Sequence, residues 1–147
     1  MRTIALVGCG SQKRDLEDEQ VVRIDQLYTS TYFQLKREYA QACCDDYYIL
    51  SAKFGLVPPA ALVAESYDLT VHDLDDDALA AWVARIDNRL TSISADATLV
   101  VLAGQAYIDP LRDTLNDAPP DVFYPFADTE GIGEQMGWLS REIETAE

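Results

Sequence analysis

The stretch Thr3-Ile-Ala-Leu-Val-Gly-Cys-Gly-Ser-Gln-Lys13 gives the strongest indication of how this chain folds. Its apolar start has the composition of a β-strand, and two glycines end the strand before a serine and a lysine. A second apolar run, Tyr47-Tyr-Ile-Leu50, leads in the same way into Ser51-Ala-Lys-Phe-Gly-Leu56. In an α/β protein, the loops after parallel strands lie at the carboxyl edge of the sheet, where ligands bind. Two of the chain's three lysines, Lys13 and Lys53, therefore fall at one predicted site.

Strand and helix patterns alternate along the rest of the chain. The wholly apolar segment Thr98-Leu-Val-Val-Leu102 is typical of a central strand buried on both faces. The predicted strands cover residues 3–9, 47–50, 98–102 and 121–125. Helices are predicted at residues 30–44, where Tyr32, Leu35, Tyr39 and Cys43 fall at helical spacing, at residues 75–93, in a segment carrying Tyr107, Leu111 and Leu115, and in a terminal segment after Gly133. Residues 53–74 are predicted to be irregular. This order predicts an α/β fold, a three-layer α/β/α sandwich with a mostly parallel sheet of four to five strands.

The composition is that of a single domain, residues 1–147, with 48% hydrophobic residues and enough chain to bury one core. No apolar run approaches the roughly 20 residues that a membrane span needs, and the amino terminus lacks a leader pattern. We therefore expect a cytoplasmic protein with no membrane partner. Three cysteines, two of them adjacent, and a single histidine argue against a disulfide framework and a zinc site. No cofactor or metal is expected.

The net charge is extreme, at −15, with 26 acidic residues against 11 basic ones. Acidic residues spread over all the predicted surfaces favour adaptation to concentrated salt, as in halophilic archaea and their viruses, because salt screens their mutual repulsion. The alternative is an acidic interaction face or a mimic of nucleic acid. Release of counterions contributes little at very high salt, so the lack of a basic patch does not exclude a nucleic-acid ligand.

The first glycine-containing loop matches neither common phosphate-binding motif. Lys13 stands where a dinucleotide-binding fingerprint has its third glycine, and the Lys-Ser/Thr ending of a P-loop is absent. The loop can still bring backbone N–H groups to a ligand, with Ser11 and Lys13 holding an anion. The alternative is a tight turn with solvated polar tips. Cys9 lacks a nearby base, so we interpret it as a small packed residue or a pocket wall rather than a nucleophile.

Later segments supply further candidates. Ser51 and Lys53 place a hydroxyl and an ammonium group just past the second strand, with Gly55 permitting a positive-φ turn. Asp68, flanked by Tyr67 and Leu69, is the candidate general base, although it could equally cap a turn or pair with Lys13 or Lys53. At the end of the central strand come Gly104, Gln105, which can bond a base edge, and Tyr107, which can stack on a ring or belong to the helix's apolar face. Gln135 could close the same cleft.

In combination, these segments resemble a family of uncharacterised small bacterial, archaeal and phage proteins. The segments that carry the resemblance are Cys9-Gly-Ser-Gln-Lys13, Leu27-Tyr-Thr-Ser-Thr-Tyr-Phe33, Ser51-Ala-Lys-Phe-Gly-Leu56, Tyr67-Asp68, Gly104-Gln-Ala-Tyr107 and Gly133-Glu-Gln-Met-Gly-Trp-Leu139. The insertion of Gly10 departs from the family pattern Cys-Ser-x-x-Lys. The second segment adds Tyr28 and Ser30, the latter also a candidate helix cap, to the candidate ligand-binding residues.

The family is distantly similar to uracil-DNA-glycosylase-like domains and to a domain of archaeal archaeosine synthases. That similarity implies a nucleobase, nucleotide or nucleic-acid ligand. The water-activating acid of the glycosylases has no match here, since Asp15 lies near its place but not at it. Two hypotheses follow: an enzyme that hydrolyses or exchanges the N-glycosidic bond of a modified base with Asp68 as base, or a noncatalytic nucleotide-binding module with the same pocket.

Overall fold

The computed structural model describes residues 2–8, 20–63, 71–93, 97–117, 121–127, 129 and 131–146. The described residues form β1 (Arg2–Gly8), β2 (Val22–Arg23), α1 (Thr31–Cys43), β3 (Asp46–Ser51), β4 (Gly55–Val57), β5 (Leu62–Val63), α2 (Asp76–Ile93), β6 (Ala97–Leu102), α3 (Gln105–Ile108), α4 (Arg112–Asp117), β7 (Asp121–Phe123) and α5 (Ile132–Ala146). Short 3₁₀ helices lie at Ile24–Gln26, Val71–Asp73 and Asp109–Leu111.

The main sheet has five strands in the order β4-β3-β1-β6-β7. Strands β3, β1, β6 and β7 are parallel, and β4 runs antiparallel to β3 at the edge. Strands β2 and β5 form a separate antiparallel pair. The chain moves from β1 to β3 on one side and then crosses through α2 to β6 on the other side. The strand order therefore reverses between β1 and β6, and ligands of such sheets bind outside the carboxyl ends of the strands at this point.

Helices cover both faces of the sheet, because the central strands are apolar on both sides. Ile4 and Leu6 of β1 belong to the core beneath α2, α3 and α4, whereas Ala5 and Val7 face the core beneath α1 and α5. Strand β6 alternates in the same way. The predicted three-layer sandwich with a mostly parallel sheet is confirmed. The main sheet has five strands, where four to five were expected.

The buried face of α1 differs from the predicted stripe. The buried side chains of this helix are Phe33, Lys36, Tyr39 and Ala40. Of the predicted stripe only Tyr39 is buried, and the other three side chains are partly buried against the core. The reason is that α1 contacts both the sheet and α5, so its buried arc is centred between the two.

Two short predictions were wrong in part. Residues 53–74 contain β4 and β5, of three and two residues, which are too short to produce a periodic pattern. The turn into β4 does contain Gly55 with a φ of 77°, so the expected positive-φ glycine is confirmed. The single helix predicted through Tyr107 and Leu115 is instead α3, a 3₁₀ turn holding Pro110, and α4. Proline has no N–H for a helix interior, so the segment divides there.

Candidate functional site

A cleft opens at the carboxyl edge of the sheet, beside the end of β6. Its volume is about 300 Å³, and its walls come from the end of β6, the start of α3 and α4, the segment after β7 and the start of α5. The described lining residues are Val101, Ala103, Gly104, Gln105, Ile108, Arg112, Tyr124, Phe126, Ala127, Thr129 and Gln135. The cleft therefore lies next to the point where the strand order reverses, which is the expected ligand position in this architecture.

The end of β1 approaches this wall closely at Gly8. A Cβ atom at Gly8 would lie 3.1 Å from both Cα and Cβ of Ala103 and 3.3 Å from the carbonyl oxygen of Leu102. Those neighbours are the final residue of β6 and the first cleft residue after it, and two of the three atoms are backbone. A side chain at position 8 would crowd the end of β6, so glycine lets the two central strands end close together.

A buried ammonium group, that of Lys36, lies at the same end of β1. Lys36 is 3% exposed, and its Nζ donates a hydrogen bond of 2.8 Å to the carbonyl oxygen of Gly8. Nζ also lies 4.3 Å from the centroid of the Tyr32 ring, which is a cation–π contact. Burial of a lysine is costly unless its charge is compensated by such contacts. Sequence reasoning missed Lys36, although it falls three residues after Phe33 and three before Tyr39, inside an otherwise apolar stripe.

Gln135, at the start of α5, is held by hydrogen bonds at both ends of its amide. Its Oε1 accepts from the hydroxyl of Tyr32, and its Nε2 donates to Thr129 Oγ1 at 3.0 Å. Thr129 Oγ1 in turn donates to the carbonyl oxygen of Phe126 at 2.7 Å. Burial raises the pKa of Tyr32 to about 12, so its hydroxyl keeps its proton at neutral pH. The chain of bonds joins α1, α5 and the segment after β7 at the cleft.

A second polar group lies on the α3 side of the cleft. Asp109 Oδ1 accepts from Gln105 Nε2 at 2.6 Å and from Arg112 Nη2 at 3.1 Å. The Gln105 hydrogen bond, followed by the Arg112 contact, lowers the pKa of the Asp109 carboxyl. All three side chains are exposed, so the group is accessible to a ligand. With its amide nitrogen committed to Asp109, Gln105 keeps its carbonyl oxygen for a ligand.

Aromatic rings close the side of the cleft that lies beyond β7. Tyr124 and Phe126 line it, and burial raises the pKa of the Tyr124 hydroxyl. The Phe126 ring packs edge-on against Trp138, with 6.2 Å between the ring centroids. The centroid of the Tyr32 ring lies 6.1 Å from that of Phe126. Because Tyr32 lies on α1 and Trp138 on α5, these contacts join the aromatic wall of the cleft to both helices.

The turn after β3 is stabilised by Ser51 and Trp82. Ser51 Oγ accepts from the backbone N–H groups of Lys53 and Phe54, both at 3.2 Å. Its carbonyl oxygen accepts from the indole Nε1 of Trp82 at 2.9 Å. Ser51 is buried, and half-buried Lys53 has its Nζ 5.4 Å from the Phe54 ring centroid. Ser51 therefore shapes the turn that carries Lys53.

Comparison with known proteins places the chain in a family. The model of the family of unknown function DUF6884 matches residues 4–141. The chain belongs to DUF6884. It is similar to the uncharacterized protein YfjM of Bacillus subtilis (strain 168), with 29% identity over 146 residues, 98% of this chain and 97% of that protein. No solved structure gives a significant match. The resemblance identified from the motifs, a family of uncharacterised proteins, is thereby confirmed.

Several residues singled out by the sequence lie away from the cleft in this DUF6884 member. Tyr28 is 2% exposed, and its ring centroid lies 4.9 Å from that of Phe33 in the core. Ser30 caps α1 by accepting from the N–H of Phe33 at 3.1 Å, which confirms its predicted capping role. Tyr107 packs edge-on against Trp82 with centroids 6.1 Å apart, on the apolar side of α3.

Of the predicted ligand-binding residues, the structure brings Gly104, Gln105 and Gln135 together at the cleft. Sequence reasoning missed Arg112, Tyr124, Phe126 and Thr129, which line it beside them. The other candidates, Cys9, Ser11, Lys13, Tyr67 and Asp68, lie outside the described residues. The predicted convergence of Lys13 with Lys53 therefore stays a prediction.

The described segments of this DUF6884 member contain neither a cluster of metal ligands nor a helix that could span a membrane. Within those segments, no group of three or more His, Cys, Asp or Glu side chains is arranged to hold a metal ion. No helix in the same segments is long and apolar enough to cross a membrane.

Proposed function

We propose that this protein binds a nucleobase or nucleotide, free or within nucleic acid, in the cleft beside β6. The observation that carries the proposal is the composition of the described cleft wall: two amides, a guanidinium group and aromatic rings around about 300 Å³. A cleft of that size, lined about equally by apolar and polar groups, suits a small planar ligand with a polar edge. Its position at the reversal of strand order adds support.

Each wall has a complementary role for such a ligand. Gln105 and Gln135 can bond the polar edge of a base, since each amide has a free donor or acceptor position. Tyr124 and Phe126 supply apolar contact for its ring. Arg112 can hold a phosphate, for which a guanidinium is well suited. An arginine that is exposed and already paired with Asp109 can exchange that partner for a ligand at low cost.

The binding proposal predicts thermal stabilisation by nucleotides. In molar KCl, chosen because we interpret the −15 charge as adaptation to salt, at least one of AMP, GMP, CMP and UMP is expected to raise the Tm. A ligand at 100 times its Kd contributes about 2.7 kcal/mol, which corresponds to roughly 5–10 °C for a domain of this size. Differential scanning fluorimetry and calorimetric titration measure the shift and the affinity.

Replacement Gln135→Ala is expected to weaken that binding about tenfold, because it removes a hydrogen bond worth about 1.4 kcal/mol. Gln41→Ala is the matched control, because the Gln41 amide bonds Tyr47 near the carboxyl end of α1, whereas Gln135 bonds Tyr32 near its amino end. Absence of a Tm shift with all four nucleotides, or an equal loss in both variants, would contradict the proposed site.

The catalytic form of the proposal is hydrolysis of an N-glycosidic bond with Asp68 as the general base. Asp68 would take a proton from water, the water oxygen would attack C1′, and the base would leave with the electrons of the C–N bond. No carboxylate or imidazole is among the described lining residues of the cleft. A base would therefore have to come from elsewhere, and Asp68 is the candidate that the sequence offers.

Asp68→Asn distinguishes the two forms. We expect this variant to lose at least about a hundredfold of the rate of free-base release, with affinity changed less than about threefold, because the amide keeps the shape and cannot accept the proton. Chromatography of the released base measures turnover. Asp113→Asn, at an exposed aspartate of α4, is the control and should keep full activity. Full activity in Asp68→Asn would exclude Asp68, and binding without release by the unaltered protein would favour the noncatalytic module.

A further inference from the structure

The hydrogen bonds around Gln135 determine which end of its amide faces the cleft. Thr129 Oγ1 donates its one proton to the carbonyl oxygen of Phe126 at 2.7 Å. Toward Gln135, Thr129 can therefore only accept, so the atom beside it at 3.0 Å must be the amide nitrogen. The amide oxygen then lies beside the hydroxyl of Tyr32, which donates to it. Donor and acceptor alternate consistently along the chain of bonds.

The two ends of this chain differ in their exposure to the cleft. Thr129 and Gln135 line it, whereas Tyr32 is not among its described lining residues. Tyr32 is held from within the protein, with Lys36 Nζ 4.3 Å from its ring centroid and the Phe126 ring 6.1 Å away. The nitrogen edge of the amide is consequently on the cleft side and the oxygen edge on the interior side. Nε2 has a second N–H, which remains available to a ligand.

We propose that Thr129 and Tyr32 are positioning residues that set base specificity, by holding the Gln135 amide so that an N–H donor faces the ligand. The inference rests on the proposed function of the cleft. A ligand that meets this donor must present an acceptor. Guanine and the 4-oxopyrimidines carry a carbonyl oxygen where adenine and cytosine carry an amino group. Where the Gln135 donor meets that exocyclic position, the protein selects oxo-bases over amino-bases.

The test compares GMP with AMP and UMP with CMP by calorimetric titration in molar KCl. The unaltered protein should bind GMP and UMP at least about tenfold more tightly than their amino counterparts, since a wrong donor–acceptor match costs about 1–3 kcal/mol. In the double variant Tyr32→Phe/Thr129→Val the amide loses both hydroxyls that orient it and can turn over. We expect the preference of that variant to fall below about threefold while GMP binding itself persists. Tyr39→Phe, on the same helix against Trp138, is the control and should keep the preference.

Gln135→Glu provides an independent variant that keeps the side-chain shape and replaces the N–H by an oxygen. It should reverse the preference toward AMP and CMP. Equal binding of oxo- and amino-bases by the unaltered protein, or an unchanged preference in either variant, overturns the specificity inference while leaving nucleotide binding in place. Failure of all four nucleotides to bind overturns the proposed function and the inference with it.

Discussion

Trp82→Ala is expected to lower the free energy of unfolding by about 3–5 kcal/mol, the usual range for removing a fully buried tryptophan. Trp82 is 0% exposed and lies in the core between α2 and the sheet. Its loss leaves a cavity and also removes the indole hydrogen bond of 2.9 Å to the carbonyl oxygen of Ser51. The turn after β3, which carries Lys53, would then lose the hydrogen bond that joins it to α2. Urea titration in molar KCl measures the change without altering the salt concentration.

Trp82→Phe separates packing from hydrogen bonding in this prediction. The phenyl ring keeps most of the volume but has no N–H, so the buried carbonyl of Ser51 loses this donor. That loss is expected to cost about 1–3 kcal/mol. Equal destabilisation by alanine and phenylalanine would show that the hydrogen bond, and not the core volume, dominates. A loss below about 1 kcal/mol in Trp82→Ala would contradict the assignment of Trp82 to the core.

The fold could be predicted from this sequence because the elements of the central sheet are strongly patterned. Strands β1, β3 and β6 each contain a run of four apolar or aromatic residues, and α2 has an apolar stripe over 18 residues. Such patterns depend on local periodicity, which a single sequence displays. The edge elements β2, β4 and β5 contain two or three residues each, so their pairing depends on tertiary contacts that no local pattern reveals.

The candidate site could be predicted only in part, for a related physical reason. Residues directly after a strand, such as Gly104 and Gln105, are placed by topology alone. Thr129 and Tyr32 become site residues through hydrogen bonds to Gln135, and Tyr32 is 103 positions away from it in the chain. Contacts between single polar side chains at such separations leave no periodic signal. Tyr107 shows the opposite error: the sequence made it a candidate ligand-binding residue, but in α3 its ring packs against Trp82.

Lys36 is a buried residue that local patterns do not identify, and its burial is the basis of the second prediction with a large expected effect. A lysine in a helix is ordinarily a solvated residue, and only the buried stripe around it indicates otherwise. Lys36→Glu places a carboxylate against the carbonyl oxygen of Gly8, where the ammonium now donates at 2.8 Å. Both oxygens are acceptors, so the buried carboxylate repels the Gly8 carbonyl instead of bonding it. We expect a loss of about 4 kcal/mol or more, within the range for an uncompensated buried charge, measured by urea titration.

Lys36→Met tests whether the ammonium serves the site or only the fold. Methionine fills a similar volume and removes both the charge and its desolvation cost, so stability should change by less than about 1.5 kcal/mol. The Gly8 carbonyl at the end of β1 would lose its tether and Tyr32 its cation–π partner, and both adjoin the cleft wall. Nucleotide affinity should therefore fall about tenfold although the protein remains folded, an effect of about 1.4 kcal/mol. Unchanged affinity in folded Lys36→Met would make Lys36 a purely structural residue, and a stable Lys36→Glu variant would contradict its burial.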